Sequence, residues 1–169
     1  MIKGIIFDVD GTLLDSMHIW SELGKRYLSS IGIDAKPGLA KILFPMSLDE
    51  SSEYLKDEYN LQDSVEQITK DTIKILNDFY LYEATPKPGA LAFIKKMQSR
   101  NIPMAIATSG DRRILNTALA RLGVADCFVG ILTCSELKTN KRVPTIYLRA
   151  AEILGTVPNE TAVFEDVLH

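Results

Sequence analysis

The sequence predicts an α/β fold, a doubly wound parallel sheet flanked by helices and interrupted once, after the first strand, by an all-helical insertion. Three observations predict it. The run 2–7, apolar apart from Lys3 and Gly4, reads as a strand covered on both faces. Between Ser16 and Ala84 the apolar spacing is helical and no stretch reads as a strand. After Gly89 helix-like and strand-like segments alternate, which implies parallel strands joined by right-handed crossovers. Residues 1–15 and 85–169 are therefore expected to form a discontinuous core domain, and 16–84 a helical domain set into it.

Bulk properties narrow the function classes. At 169 residues the chain suits one domain with a modest insertion and can bury a substantial core. A net charge of −3 supplies no general attraction to nucleic acid or to acidic membranes. No run approaches membrane-spanning length, and the N-terminus lacks a basic region ahead of a long apolar one. A cytoplasmic protein is expected, monomeric or weakly dimeric, with no nucleic-acid or membrane partner. Cys127 and Cys134 have no clustered His or Cys neighbours, which points to packed thiols of a reducing compartment rather than zinc ligands.

Within the insertion, Trp20, Leu23, Tyr27 and Ile31 fall at spacings of three and four, with Gly32 as a stop. Lys36-Pro37-Gly38 and Phe44-Pro45 interrupt the segment. A second helix is expected over 48–59 behind a Ser47 cap, and a long third one over 64–82, where Val65, Ile68, Ile75, Leu76 and Phe79 share a face. His18 and Trp20 either pack on helices or line the entrance to a site. Pro86, Pro88 and Gly89 mark a rigid return. Beyond it the pattern predicts a helix over 89–99, a strand over 102–107 and a helix over 111–122 presenting Ile114, Leu115, Ala118, Leu119 and Leu122. A strand over 128–132, a helix over 143–154 and a short strand over 162–164 follow.

Four stretches carry chemistry. The first strand exits into Asp8-Val9-Asp10-Gly11-Thr12, at the sheet edge where open α/β folds place ligands. The period of two points Asp8 and Asp10 toward one side, where they repel unless a cation or shared proton intervenes. Gly11 permits a turn and the Thr12 hydroxyl can hold it. A calcium loop fails on spacing, since Ile6 and Met17 would stand at its first and twelfth positions. Next, Thr108-Ser109-Gly110 joins a strand to a helix, offering a hydroxyl, amides and a helix N-terminus to a phosphate, although such turns commonly serve only as caps. Then come three competing cations, Lys138, Lys141 and Arg142. Last, Val163-Phe164 leads into Glu165-Asp166, a second carboxylate pair whose hard oxygens suit Mg²⁺.

Asp8-Val9-Asp10-Gly11-Thr12 resembles the first motif of the haloacid dehalogenase superfamily of phosphohydrolases, and the other three stretches resemble its remaining motifs in order. The resemblance implies a Rossmann-like core with the helical cap of subfamily I inserted after the first strand. It implies Asp8 as nucleophile, Asp10 as acid and base, Thr108 with the Ser109 amide as phosphate holders, and Gly11 and Gly110 as backbone that approaches the phosphate. Lys141 matches the family lysine by its place three residues before Pro144 and an Ile146-Tyr147-Leu148 run. Asn140, Arg142 and Thr145 depart from the Gly, Pro and Asp common there. Mg²⁺ would lie among Asp8, the Asp10 carbonyl and Asp166, with Glu165 as a further contact. The expected substrate is a small phosphorylated metabolite, and Asp10 favours phosphate esters over carbon–halogen or carbon–phosphorus bonds.

Two alternatives accompany this reading. A β-phosphoglucomutase-like phosphotransferase resembles the chain, but such mutases carry an arginine where Pro45-Met46-Ser47-Leu48 stands here, and Leu48 cannot pair a phosphate. The sequence also stops at His169, three residues past Asp166, whereas family members continue. A C-terminally truncated member is therefore expected, with a catalytically inactive fragment or binding remnant as the alternative of another class.

Overall fold

The structure is a computed structural model and describes residues 1–167. It is a Rossmann-like α/β core with an all-helical segment inserted after the first strand. The chain divides into two compact units, Met1–Ser16 joined with the chain from Ala84 onward, and Met17–Glu83.

In the first unit, strands β1 (Gly4–Phe7), β2 (Met104–Thr108), β3 (Gly130–Thr133) and β4 (Thr161–Phe164) form a parallel sheet in the order β3-β2-β1-β4. Helix α7 (Thr145–Leu154) lays Ile146, Ala150, Ala151 and Leu154 on the face carrying Ile6, Ala105 and Ala107. Alanines on both sides bring helix and sheet close. On the opposite face Phe7 meets Phe93 of α5 (Ala90–Ser99) edge-on and Phe164 in a stack, with Phe128 completing the cluster. Helix α6 (Arg112–Arg121) buries Leu115, Ala118 and Leu119. It opens with Asp111, whose carboxylate accepts from the Arg113 and Ile114 amides.

All four strands move from expectation, β1 beginning at Gly4 rather than at residue 2 and β4 at Thr161 rather than at residue 162. β2 starts after Pro103, which ends the loop before it, and runs on through Thr108. β3 starts two residues later and ends one residue later because a 3₁₀ turn, Ala125–Cys127, occupies the approach. β4 pairs only with β1 among the described strands, and Val163 and Phe164 keep 47% and 40% of their surface exposed.

The second unit contains α1 (Met17–Ser30), α2 (Leu39–Leu43), α3 (Leu48–Tyr59) and α4 (Val65–Asp78), packed around Tyr27, Leu28, Leu39, Leu55 and Ile68. Helix α1 turns Ile19, Leu23, Tyr27 and Leu28 inward, leaving Trp20 and Ile31 exposed. Apolar residues at both 19 and 20 offered two stripes of equal period, and packing selected one. The breakers around Gly38 and Pro45 bracket α2 rather than abolish helix. Ser47 does cap α3, in a reciprocal box: its hydroxyl accepts from the Glu50 amide and the Glu50 carboxylate from the Ser47 amide. The expected single helix over 64–82 is instead α4 followed by a π turn, Phe79–Glu83, whose wider winding buries the neighbours Phe79 and Tyr80 together.

The Phe7 cluster generates a prediction. Phe7 is 2 % exposed and adjoins Asp8, so Phe7→Ala should cost about 3–5 kcal/mol, read as a lowered urea midpoint with an unchanged slope.

Candidate active site

Pairing between β1 and β4 ends at Phe7 opposite Phe164, so Asp8 and Glu165 leave the sheet side by side at its carboxyl edge. The Asp8 amide makes a last ladder bond to the Phe164 carbonyl at 3.0 Å. Val9, fully buried, then reverses the chain: its carbonyl accepts from the amides of Thr12, Leu13 and Leu14 at 3.3, 2.9 and 2.8 Å. Gly11 sits at φ 85°, a conformation that glycine adopts freely. The Thr12 hydroxyl does not hold this turn; its buried oxygen makes no hydrogen bond with the described residues. Three amides on one carbonyl leave it nothing to do.

The second stretch closes on the first. Thr108, fully buried, accepts from the Gly110 amide at 2.9 Å. A Cβ built on Gly110 would lie 3.3 Å from Thr108 Oγ1 and 3.5 Å from Asp10 Oδ2, so the loop passes against the second aspartate at a distance that a side chain would crowd. Asp10 Oδ1 in turn accepts from the Ser16 hydroxyl at 2.5 Å, with Ser16 fully buried. Because Asp111 accepts from the first amides of α6 and the Gly110 amide is given to Thr108, the donors this turn leaves for a ligand are the Thr108 hydroxyl and the Ser109 amide. The exposed Ser109 directs its hydroxyl toward Cys134 Sγ at 3.6 Å.

Of the three competing cations, Lys138 and Arg142 are exposed. Lys141 alone is drawn in, its side chain 7 % exposed, with Nζ bonded to Asp8 and to both Glu165 oxygens at 2.8 and 3.1 Å. The Tyr147 hydroxyl, in the first turn of α7, donates to Glu165 Oε1 at 3.2 Å. Burial pushes the Asp8 carboxyl up from 3.8 to about 6, against the downward pull of the Lys141 hydrogen bond and charge, while the Glu165 charge adds to the rise. Burial and the adjacent Glu165 raise the Tyr147 phenol well above its ordinary range, so it remains a donor.

Asp166 is exposed and makes no hydrogen bond or ion pair among the described residues. Asp8, Asp10, Glu165 and Asp166 are oxygen donors of the kind Mg²⁺ takes, and the donor chemistry fits that ion. Among the described residues no three acidic, His or Cys side chains converge into one metal-sized cluster; Lys141 is the cation between Asp8 and Glu165. His18 stacks edge-on against Phe79 at 5.2 Å, within the helical unit. Sequence reasoning missed Ser16 and Tyr147. Tyr147 had a signal, its place six residues after Lys141 in the apolar run that opens α7; Ser16 had none beyond proximity to Asp10.

A family model described as haloacid dehalogenase-like hydrolase matches residues 2–168. The phosphorylated carbohydrates phosphatase of Thermotoga maritima is 27% identical over 165 residues, which cover 98% of this chain and 76% of that protein. Hexitol phosphatase A of Escherichia coli is 29% identical, over 97% of this chain and 74% of its own. The crystal structure of a candidate β-phosphoglucomutase from Thermotoga maritima superposes with a TM-score of 0.86 at 26% identity, covering 96% of this chain and 75% of that one. Among the described residues no helix is long and apolar enough to cross a membrane.

The raised Asp8 carboxyl fixes a sign. Between about pH 4 and pH 6 the folded chain binds this proton more tightly than the unfolded chain, so stability due to Asp8 falls as pH rises through that window. In EDTA the Asp8→Asn chain should therefore melt above the parent at about pH 7, and the gap should close by about pH 4 in calorimetric scans.

Proposed function

The chain belongs to the haloacid dehalogenase-like hydrolase family, and from that premise we propose that it hydrolyses a small phosphate monoester through a phosphoryl group carried on Asp8. The observation that carries this reading is the buried Asp8 carboxylate, held by Lys141 at the carboxyl end of β1 with the Thr108 loop closing against Asp10.

In this reading an Asp8 oxygen attacks phosphorus in line, the bond to the ester oxygen breaks, and Asp10 gives its proton to that oxygen. Water then attacks the phosphoryl group, Asp10 takes the proton, and phosphate leaves with Asp8 regenerated. The hydrogen bond from Ser16 keeps Asp10 aimed at the ester side. Thr108, the Ser109 amide and Lys141 receive the phosphoryl oxygens, and Gly110 keeps the loop close enough for the Ser109 amide to reach. Asp8, the Asp10 carbonyl and Asp166 would hold Mg²⁺, which when bound offsets the negative charge gathered on phosphate and carboxylates. Glu165 serves chiefly as the anchor of Lys141. The unit Met17–Glu83 is proposed as the cap. Leu48, at the start of α3, offers no charge to a second phosphate, which favours hydrolysis over phosphotransfer.

The relatives' names make phosphorylated carbohydrates and hexitol phosphates the first compounds to assay. The expected result is phosphate release that needs Mg²⁺, stops with EDTA and is absent in Asp8→Asn. No release above that variant, from a folded chain, would establish the inactive alternative. Tyr147→Phe removes the donor that steadies Glu165, and should lower kcat about ten-fold with little change in KM and raise the Mg²⁺ concentration needed for half activation. An unchanged kcat and Mg²⁺ requirement would remove Tyr147 from the account.

A further inference from the structure

In the proposed reaction the phosphoryl oxygens are received by Thr108 and Ser109 and by Lys141, which come from different connections of the sheet. Thr108 and Ser109 stand where β2 turns into α6, whereas Lys141 lies between β3 and α7 in the segment 134–144, which contains neither helix nor strand. A group carried on a loop is placed less precisely than one on a helix or strand. Something else must therefore fix the spacing between the two sets of donors.

The two connections are tied together at three points. The Cys134 amide donates to the Thr108 carbonyl at 2.9 Å, and the Ser109 hydroxyl donates to Cys134 Sγ at 3.6 Å. The third tie joins Arg112, the first residue of α6, to Glu136 of the Lys141 segment. Arg112 Nε and one terminal nitrogen donate to the two Glu136 carboxylate oxygens, each at 2.6 Å, and the same terminal nitrogen reaches the Ile131 carbonyl of β3 at 2.5 Å. The Glu136 amide donates to Thr133 Oγ1 at 3.3 Å and the Thr139 amide to the Cys134 carbonyl at 2.9 Å. The segment is thus folded onto the end of β3 before it runs on to Lys141.

An ion pair open to solvent is ordinarily worth little to stability, and both partners here are open to it, Arg112 in part and Glu136 fully enough to be exposed. The geometry is what sets this pair apart. A planar fork on a carboxylate fixes direction as well as distance, and the bond to Ile131 anchors the fork to the sheet. The Arg112 hydrogen bonds hold the Glu136 carboxyl down at about 2, so the pair is ionised at neutral pH. A misplacement of about 1 Å in a reacting arrangement costs on the order of 10²-fold in rate. We propose that Arg112 and Glu136 are a positioning pair for phosphoryl transfer, holding the Thr108–Ser109 turn and the Lys141 segment at the spacing a phosphate requires. Both act through other residues, and the inference rests on the phosphatase reading above.

The test compares the parent with Arg112→Lys, Glu136→Gln and the double variant. Arg112→Lys keeps the charge and loses the fork; Glu136→Gln keeps the shape and loses the charge. Turnover of para-nitrophenyl phosphate with Mg²⁺ and calorimetric binding of inorganic phosphate are the readouts, with melting scanned alongside. Each single variant should lower kcat/KM about thirty-fold and weaken phosphate binding several-fold, while melting stays within about 3 °C of the parent. The double variant should lose no more than the worse single one, because the two residues act as a unit. Unchanged kcat/KM in the folded single variants would overturn the pair, as would losses that multiply in the double variant or that follow a fall in melting temperature. Arg112→Lys decides the matter even if Glu136→Gln does not fold. A parent that neither turns over nor binds phosphate overturns the phosphatase reading and this inference with it, whereas an active parent matched by its variants overturns the pair alone.

Discussion

The Lys141 ammonium between Asp8 and Glu165 is the interaction on which the rest of the candidate site depends. All three side chains are nearly or largely buried. Removing charges from water is costly, and an ion pair in an apolar surround survives only where further hydrogen bonds complete it. Here the completion comes from the Tyr147 phenol on Glu165 and from the ladder bond that fixes the Asp8 backbone. The arrangement does not cancel the cost at Asp8, whose carboxyl remains well above its ordinary value. A carboxylate held ionised against its surroundings is one that gains from meeting a further positive centre, which is the condition a phosphoryl-accepting group requires.

The parallel sheet explains why these groups meet. Parallel strands put all their carboxyl ends on one edge, so residues far apart in sequence leave the sheet together: Asp8 after β1, Ser109 after β2 and Glu165 after β4. The helix α7 then returns over the face carrying Ile6, Ala105 and Ala107, and its first turn delivers Tyr147 while the segment before it delivers Lys141. Small residues at 105, 107, 150 and 151 are therefore part of the site's geometry, since bulkier ones would lift α7 and carry Tyr147 away from Glu165.

The fold class was legible because its signals are local and strong: an apolar run at the start, helical spacing through the insertion, and alternation afterwards. The family membership was legible from the aspartate pair and the three stretches that follow it. What escaped were features set by packing rather than by pattern. Ile19 and Trp20 are both apolar, and only the interior of the helical unit decides that the first is buried and the second exposed. The short helix α2 lies between breakers that look like interruption. The π turn at Phe79 preserves the apolar count of a longer helix while changing its winding. At the site, the Thr12 hydroxyl was a reasonable turn holder by residue type, but the Val9 carbonyl does that work through the backbone. Ser16 and Tyr147 act through single hydrogen bonds to carboxylates, and a hydroxyl in a sequence does not announce its acceptor.

The central claim is that Asp8 carries the phosphoryl group, and the most direct measurement is chemical trapping. Turnover is quenched in the presence of excess phosphate ester, the chain is reduced with borohydride, which converts an acyl phosphate to the alcohol, and position 8 is sequenced by mass spectrometry. The account predicts homoserine at position 8, dependent on ester and absent without it. Unmodified Asp8 in a chain that is releasing phosphate, or homoserine at another aspartate, would contradict it.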